Sequence, residues 1–323
     1  MKYRRFGRTG WNVSEIGYGM WGMAGWTGSS DAESRSSLQR AVDLGCNFFD
    51  TAWAYGDGHS EELLGELVRA NRSKRIYVAT KIPPKNLQWP SRREYTLDEC
   101  FPPDHIDEYI HRSLGALGLN RIDLIQFHTW EDSWTKDDRW WKKLDQIRSQ
   151  GLIQAAGISI NRWEPWNGVE AVRAGLVDAV QVIYNIFDQS PEDELFPVCK
   201  DHDVGVIARV PFDEGSLIGN LTKGTKWAEG DWRNTYFVPE NLSATVDRVE
   251  ALKPLVPAGT TLPEVALRFI LMNQTVNTII PGMRKLTNVE SNVAASNGEP
   301  LDRELYSRLR KHRWDRKPTQ WSQ

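Results

Sequence analysis

Cysteine is scarce in this chain: Cys46, Cys100 and Cys199 are the three in 323 residues, and no two of them form a C-x-x-C pair. That excludes a disulfide framework and a cysteine-based zinc site, and it points to a reduced, cytoplasmic setting. Long hydrophobic runs are missing too. No window approaches the roughly 18 apolar residues of a membrane-spanning helix, and the basic start MKYRRFGRTG leads into no apolar signal core. Neither charge sign dominates: 40 Lys and Arg against 43 Asp and Glu give a net charge of -3, short of the basic footprint that nucleic acid requires. The six histidines are scattered rather than clustered as metal ligands. No metal, membrane or nucleic acid is therefore expected, and the oligomeric state is open. What the chain has in quantity is tryptophan, 15 residues, most of which packing will absorb, within a globular composition of 40% hydrophobic and 26% charged residues.

The chain opens on a hairpin pattern, Tyr3 to Phe6, a turn with Gly7 and Gly10, then Val13 and Ile16. From there a short apolar run followed by a stretch of helical period repeats eight times. Strands are expected at 16–19, 47–51, 76–80, 124–128, 155–159, 179–183, 204–208 and 278–281. Helix starts show between them: Asp104 ahead of the stripe Ile106, Ile110, Leu114 and Leu117; Ser190 before Pro191 and Asp193; and Thr261-x-x-Glu264 as a capping box before Val265, Leu267 and Ile270. Alternation and length together predict an α/β chain, a (β/α)8 TIM barrel with an N-terminal β-hairpin, as a single domain over 1–323. Residues 211–239, irregular and rich in Gly, Trp and Asp, read as a ligand flap after the seventh strand. Gly17, Gly19 and Gly22 spell G-x-G-x-x-G, but a loop follows where a dinucleotide fingerprint needs a helix, so a Rossmann fold is set aside.

Active groups in such barrels come from the C-terminal ends of the strands. There the second strand ends in Asp50 with Tyr55 just past it, the third in Lys81 and the fourth in His128. Singly, these are a cap, a rim aromatic, a surface charge and a core histidine; together they make one device. A tyrosine is a poor acid, with an ordinary pKa of about 10, and an adjacent Lys81 ammonium is expected to lower that value. Asp50 would keep a buried Lys81 charged, and His128 would orient a substrate oxygen. The chemistry this suits is protonation of an oxyanion forming on a carbonyl. A barrel glycosidase would need paired carboxylates at the strand ends. Glu131 and Asp132 lie past the fourth, while Lys and His hold the ends themselves.

These residues resemble the aldo-keto reductase family over essentially the whole chain. The resemblance is carried by GYGMWG after the hairpin, Phe49-Asp50-Thr51-Ala52 leading to Tyr55-Gly56, Ser60-Glu61, Thr80-Lys81, Leu117-Gly118, Asp123-Leu124 and His128. It continues in Gly157-Ile158-Ser159, Gln181-Val182, Tyr184-Asn185 and Ile280-Pro281-Gly282 with Asn288 and Asn292. It implies reduction of a small-molecule aldehyde or ketone with NADP(H), Tyr55 as proton donor, Asp50 and Lys81 as its tuning pair, and His128 orienting the substrate. The cofactor contacts it implies are Gly19, Met20, Trp21, Asp50, Ser159, Gln181, Phe212, Gly215 and Leu217. For the adenosine end they are Pro281, Gly282, Met283, Arg284, Asn288 and Asn292, with Arg284 placed to pair with a 2′-phosphate. The substrate pocket would be lined by Trp21, Trp53, Tyr55, His128 and Trp130, with Trp89 joining from the loop after the third strand. Such aromatic walls suit a flat, aromatic or sugar-like carbonyl, and residues 211–239 and the tail after Trp314 would complete the pocket.

Two departures stand out. Where the family commonly has Ser-Asn, this chain has Ser159-Ile160, which removes a carboxamide contact unless Asn161 swings in. Where family members often stack an aromatic on the nicotinamide, Arg209 follows Ala208. A guanidinium there is expected to repel the oxidised, cationic ring more than the neutral reduced one, favouring NADPH and the reductive direction. The resemblance extends to potassium channel beta subunits, so a cofactor-binding module with little turnover is the rival expectation.

Overall fold

Strand side chains alternate between two faces, and in this protein one face fills a barrel while the other meets a ring of helices. The computed structural model describes residues 1–316 apart from 26, 27 and 29. β1 (Tyr3–Phe6) and β2 (Trp11–Ser14) pair antiparallel, and Gly10, with φ 70°, supplies the left-handed turn that glycine adopts without strain. Eight parallel strands follow in sequence order: β3 (Tyr18–Gly19), β4 (Phe48–Asp50), β5 (Tyr77–Ile82), β6 (Ile122–Phe127), β7 (Ile153–Ser159), β8 (Ala179–Ile183), β9 (Gly205–Arg209) and β10 (Thr278–Ile279). Parallel bridges Ile16 to Ile279 and Gly19 to Gly282 close the ring between β10 and β3.

The expected eight strands are all present, but both seam strands shrink to two residues. Pro281 has no N–H to extend the ladder. A Cβ on Gly19 would lie 2.6 Å from the Ile280 carbonyl oxygen, so barrel closure accounts for this glycine. The hairpin plugs the end opposite the strand C-termini. Phe6 and Trp11 stack there, Trp11 also stacks on Tyr77, and both share an inner core with Phe48, Leu124 and Ile207. The three cysteines are buried and free, and among the described residues no helix is long and apolar enough to cross a membrane.

Two helix starts differ from expectation. Ser190 opens a short 3-10 turn, Ser190–Glu192, and the α-helix begins only at Leu195. Thr261 caps as expected, its hydroxyl accepting from the Glu264 amide, but the Glu264 carboxylate pairs with Arg268 at 2.7 Å. A reciprocal capping box appears instead at Thr96 and Glu99, ahead of Leu97–Cys100. Past Gly22 the next helix starts at Asp31, which removes the dinucleotide fingerprint.

Candidate active site

Because the side-chain period is two, the last inward positions of adjacent strands form one layer at the barrel mouth. That layer brings together Asp50 of β4, Lys81 of β5, Gln126 of β6, Ser159 of β7, Gln181 of β8 and Arg209 of β9, with His128 just beyond β6. Lys81 and Asp50 form a buried ion pair, their side chains 1% and 3% exposed. The ammonium's other donors reach the Thr51 carbonyl at 2.7 Å and the Tyr55 hydroxyl at 3.5 Å. On the far side of Asp50, Oδ2 accepts from Gln126 at 3.0 Å and Gln181 at 2.8 Å. Three donors on one buried carboxylate fix its orientation and hold its lysine in place. Gln126 was not anticipated, although its place two residues before His128 puts it on the same face.

The expected lowering of the Tyr55 pKa is overturned in direction. Burial pushes the phenol above its ordinary value, with Asp50 adding to the rise while Lys81 and Arg209 pull against it. Tyr55 therefore keeps its proton through neutral pH, and the two cations stabilise the phenolate as the proton leaves. His128 is held well below its ordinary value by burial, then by Lys81 and Arg209, so its imidazole is neutral. Its ring meets Tyr55 edge-on at 5.7 Å on one side and Trp89 at 5.7 Å on the other. Its Nδ1 has no partner among the described residues.

The expected aromatic wall divides. Trp89 stands against His128, and Trp21, 42% exposed, meets Trp232 of the long insert edge-on at 5.8 Å. Trp53 turns outward, edge-on to Tyr109 of the helix Pro103–Leu117 and under Arg112. Trp130 is a correction: it is fully buried among Phe127, Trp134 and Trp140, and its indole N–H donates to Asp132 at 2.9 Å. It supports the barrel and presents no exposed face to a substrate. Asp132 in turn accepts from the amides of Gly168 and Glu170, which makes it a cap and removes the paired-carboxylate reading.

Around the mouth, Met20 is buried with its amide on the Asp50 carbonyl, and Ser159 is buried at the end of β7. Asn161 does not swing in, because its amide donates to the Ser91 carbonyl at 3.2 Å. Arg209 reaches across to the Ile160 carbonyl at 3.0 Å, while its Nε is buried without a partner among the described residues. Phe212 is half-buried. Leu217 is a core residue, and its amide and that of Gly215 both donate to the Phe212 carbonyl. Gly215, at φ 95°, has open space on its Cβ side, where among the described residues beyond its chain neighbours only Ile218 comes within 4 Å. Past β10, Pro281 and Met283 are buried, Gly282 and Asn288 are exposed, and Asn292 is buried in the helix Leu286–Asn297. Half-buried Arg284 precedes a shallow cavity of about 480 Å³ lined by Ala32, Glu33, Ser36, Lys285, Leu286 and Thr287. Of the tail, Asp315 and Arg316 are described, and 317–323 lie outside the described residues.

On the outer face of β5, Glu61 of the helix His59–Ala70 is buried and accepts from the Thr80 hydroxyl at 2.5 Å. Burial raises its carboxyl from 4.5 to about 7, against the hydrogen bond from Thr80, the nearby Ser113 hydroxyl and the attraction of Lys81. The folded protein thus binds this proton more tightly than the unfolded chain. The associated stability is complete below pH 4.5 and is lost as pH rises to about 7, a change of about 3 kcal/mol. Urea midpoints measured from pH 5 to 8 should fall in the parent protein and stay flatter in Glu61→Gln.

The profile of the Aldo/keto reductase family matches residues 15–313. The chain is 28% identical over 312 residues to the NADH-specific methylglyoxal reductase of Escherichia coli, covering 92% of this chain and 94% of that protein. It is also 28% identical to a probable voltage-gated potassium channel subunit beta of Oryza sativa, covering 93% of each. Among solved structures, the glycerol dehydrogenase AKR11B4 of Gluconobacter oxydans superposes with a TM-score of 0.80 at 25% identity, over 96% of this chain and 94% of that one.

Proposed function

Since this chain belongs to the aldo/keto reductase family of NAD(P)H-dependent oxidoreductases, we propose that it reduces an aldehyde or ketone with NADPH, and that Tyr55 is the proton donor. The observation that carries this reading is the hydrogen-bonded line from Asp50 through Lys81 to the Tyr55 hydroxyl, with neutral His128 edge-on to the same ring. A nicotinamide cofactor, when bound, supplies the hydride. The mouth suits such a group. Buried polar atoms at His128 and Arg209 have no partner among the described residues, the Gly215 turn is open, and Arg284 and Lys285 bring positive charge to the far lip.

Tyr55 gives its proton to the carbonyl oxygen as charge develops there, and Lys81 stabilises the phenolate left behind. His128 donates one N–H to the same oxygen and sets its angle. Trp89 and Trp21 offer flat faces, which favours an aromatic or sugar-like carbonyl. Arg209 disfavours the cationic oxidised ring at close range and so biases the enzyme toward reduction.

Tryptophan fluorescence titrations with NADPH, NADH and NADP+ test the cofactor assignment. Arg284→Ala should weaken NADPH by roughly ten- to a hundredfold and leave NADH unchanged, as loss of a charge-assisted hydrogen bond predicts. Equal losses for both nucleotides would remove the 2′-phosphate assignment. Arg209→Tyr should bring the affinities for reduced and oxidised forms closer together. The relative named as a channel subunit supports a second reading, a cofactor-binding module. A panel of aldehydes separates the two, since a module would oxidise NADPH no faster than Tyr55→Phe.

A further inference from the structure

The turn after β9 holds an unusual backbone. Val210, Asp213 and Glu214 have φ of 53°, 46° and 56°, the left-handed region where side chains are strained, and Gly215 and Gly219 follow at 95° and 86°. Strain of this kind persists only where the surroundings over-determine the conformation. Here the surroundings are a buried ionic cluster assembled from four other parts of the chain. Arg316, its side chain 2% exposed, donates to Asp213 at 2.7 Å, to Asp188 at 2.7 Å and to the Tyr236 hydroxyl at 3.0 Å. Arg162, from the loop after β7, pairs with Glu214 at 2.6 Å and approaches Asp213 at 3.6 Å, and it also donates to Tyr236. Burial pushes the Asp213 carboxyl up, but Arg316 and Arg162 outweigh it and hold the group below its ordinary value.

Arg316 is itself fastened. Trp314 donates its amide to the Phe187 carbonyl at 2.8 Å, and Arg248 and Arg316 lie over the Trp314 ring at 4.2 and 4.6 Å. The tail thus ties the segment after β8, the long insert and the turn after β9 into one knot. Without Arg316, Asp213 would keep, among the described residues, only Arg162, at 3.6 Å, and the Ser216 hydroxyl, at 2.7 Å, as side-chain partners. One partner lost from a fully buried charge favours opening of the segment that carries it.

We propose that Arg316 is a positioning residue for nucleotide binding: from the C-terminal tail it locks the 210–219 turn into the shape that receives the cofactor, and so sets how long the cofactor stays. This rests on the nicotinamide reading above. Arg316 and Arg162 bond to Asp188, Asp213, Glu214 and Tyr236, while Lys81 bonds to Asp50, Thr51 and Tyr55, so the effect should appear in binding and not in the chemical step.

The experiment compares wild type, Arg316→Ala and Arg316→Lys by amide hydrogen exchange without nucleotide and by stopped-flow release of NADPH. In Arg316→Ala, exchange should rise in 210–219 and release should speed up. If only a tenth of molecules keep the turn formed, the apparent Kd rises about tenfold. At saturating NADPH, kcat should not fall, and Arg316→Lys should recover part of the affinity. Unchanged exchange in 210–219, or faster exchange spread evenly over the barrel with normal NADPH release, would overturn the proposal. If wild type binds neither nucleotide, the nicotinamide reading fails, and the exchange data still decide whether Arg316 orders the turn.

Discussion

Tyr55→Phe is expected to lower carbonyl reduction by about a hundred- to ten-thousandfold, the range that a positioned general acid contributes. The substitution removes one oxygen at a half-buried position and leaves the Lys81–Asp50 pair in place, so cofactor affinity and thermal stability should stay near wild type. The loss should fall on kcat, because the hydroxyl does its work as charge builds on the substrate oxygen. The raised phenol pKa adds a pH expectation with a definite sign. An acid that must be protonated fails only as pH climbs past its pKa, here above the ordinary value of about 10. Reductive turnover should therefore show no loss from Tyr55 between pH 6 and 9. A variant keeping more than a tenth of wild-type kcat would remove Tyr55 as the donor.

Lys81→Met should damage both activity and stability. It leaves the buried Asp50 carboxylate, among the described residues, with the side-chain amides of Gln126 and Gln181 alone, and breaking a buried pair by removing one partner costs about 3 to 5 kcal/mol. Burial works against the Lys81 charge, but Asp50 and Tyr55 prevail and its pKa is raised. The stability it contributes is thus complete below the unfolded value of about 10.4 and is lost only at higher pH. Urea unfolding at pH 7 measures the whole effect. Adding Asp50→Asn to Lys81→Met should restore much of the stability, since no unpaired charge remains, while activity stays as low as in Tyr55→Phe. If the single variant unfolds like wild type, the ion pair is not what holds this layer.

Asp50, Tyr55, Lys81 and His128 were legible because strand ends can be found from apolar runs, and period-two alternation then assigns each end residue to a face. Trp130 was misplaced because residue type alone does not say which side of a strand end an indole takes. Its position two past His128 leaves the strand, where alternation no longer applies. The lowered Tyr55 pKa was misjudged for a related reason. The neighbouring ammonium could be inferred from spacing, but the burial that outweighs it depends on everything packed around the mouth.

By itself the sequence determined the alternating βα order, the eight-stranded count, the hairpin and the four groups at the strand ends, since local periodicity and residue chemistry carry all of these. Only the tertiary structure decided which way each aromatic faces, that Gln126 and Gln181 complete the shell around Asp50, and that Arg316 meets Asp213 across 103 positions of chain. Those are contacts between segments far apart in sequence. Their partners are chosen by how the barrel closes and what it excludes from water, and no local pattern encodes that choice.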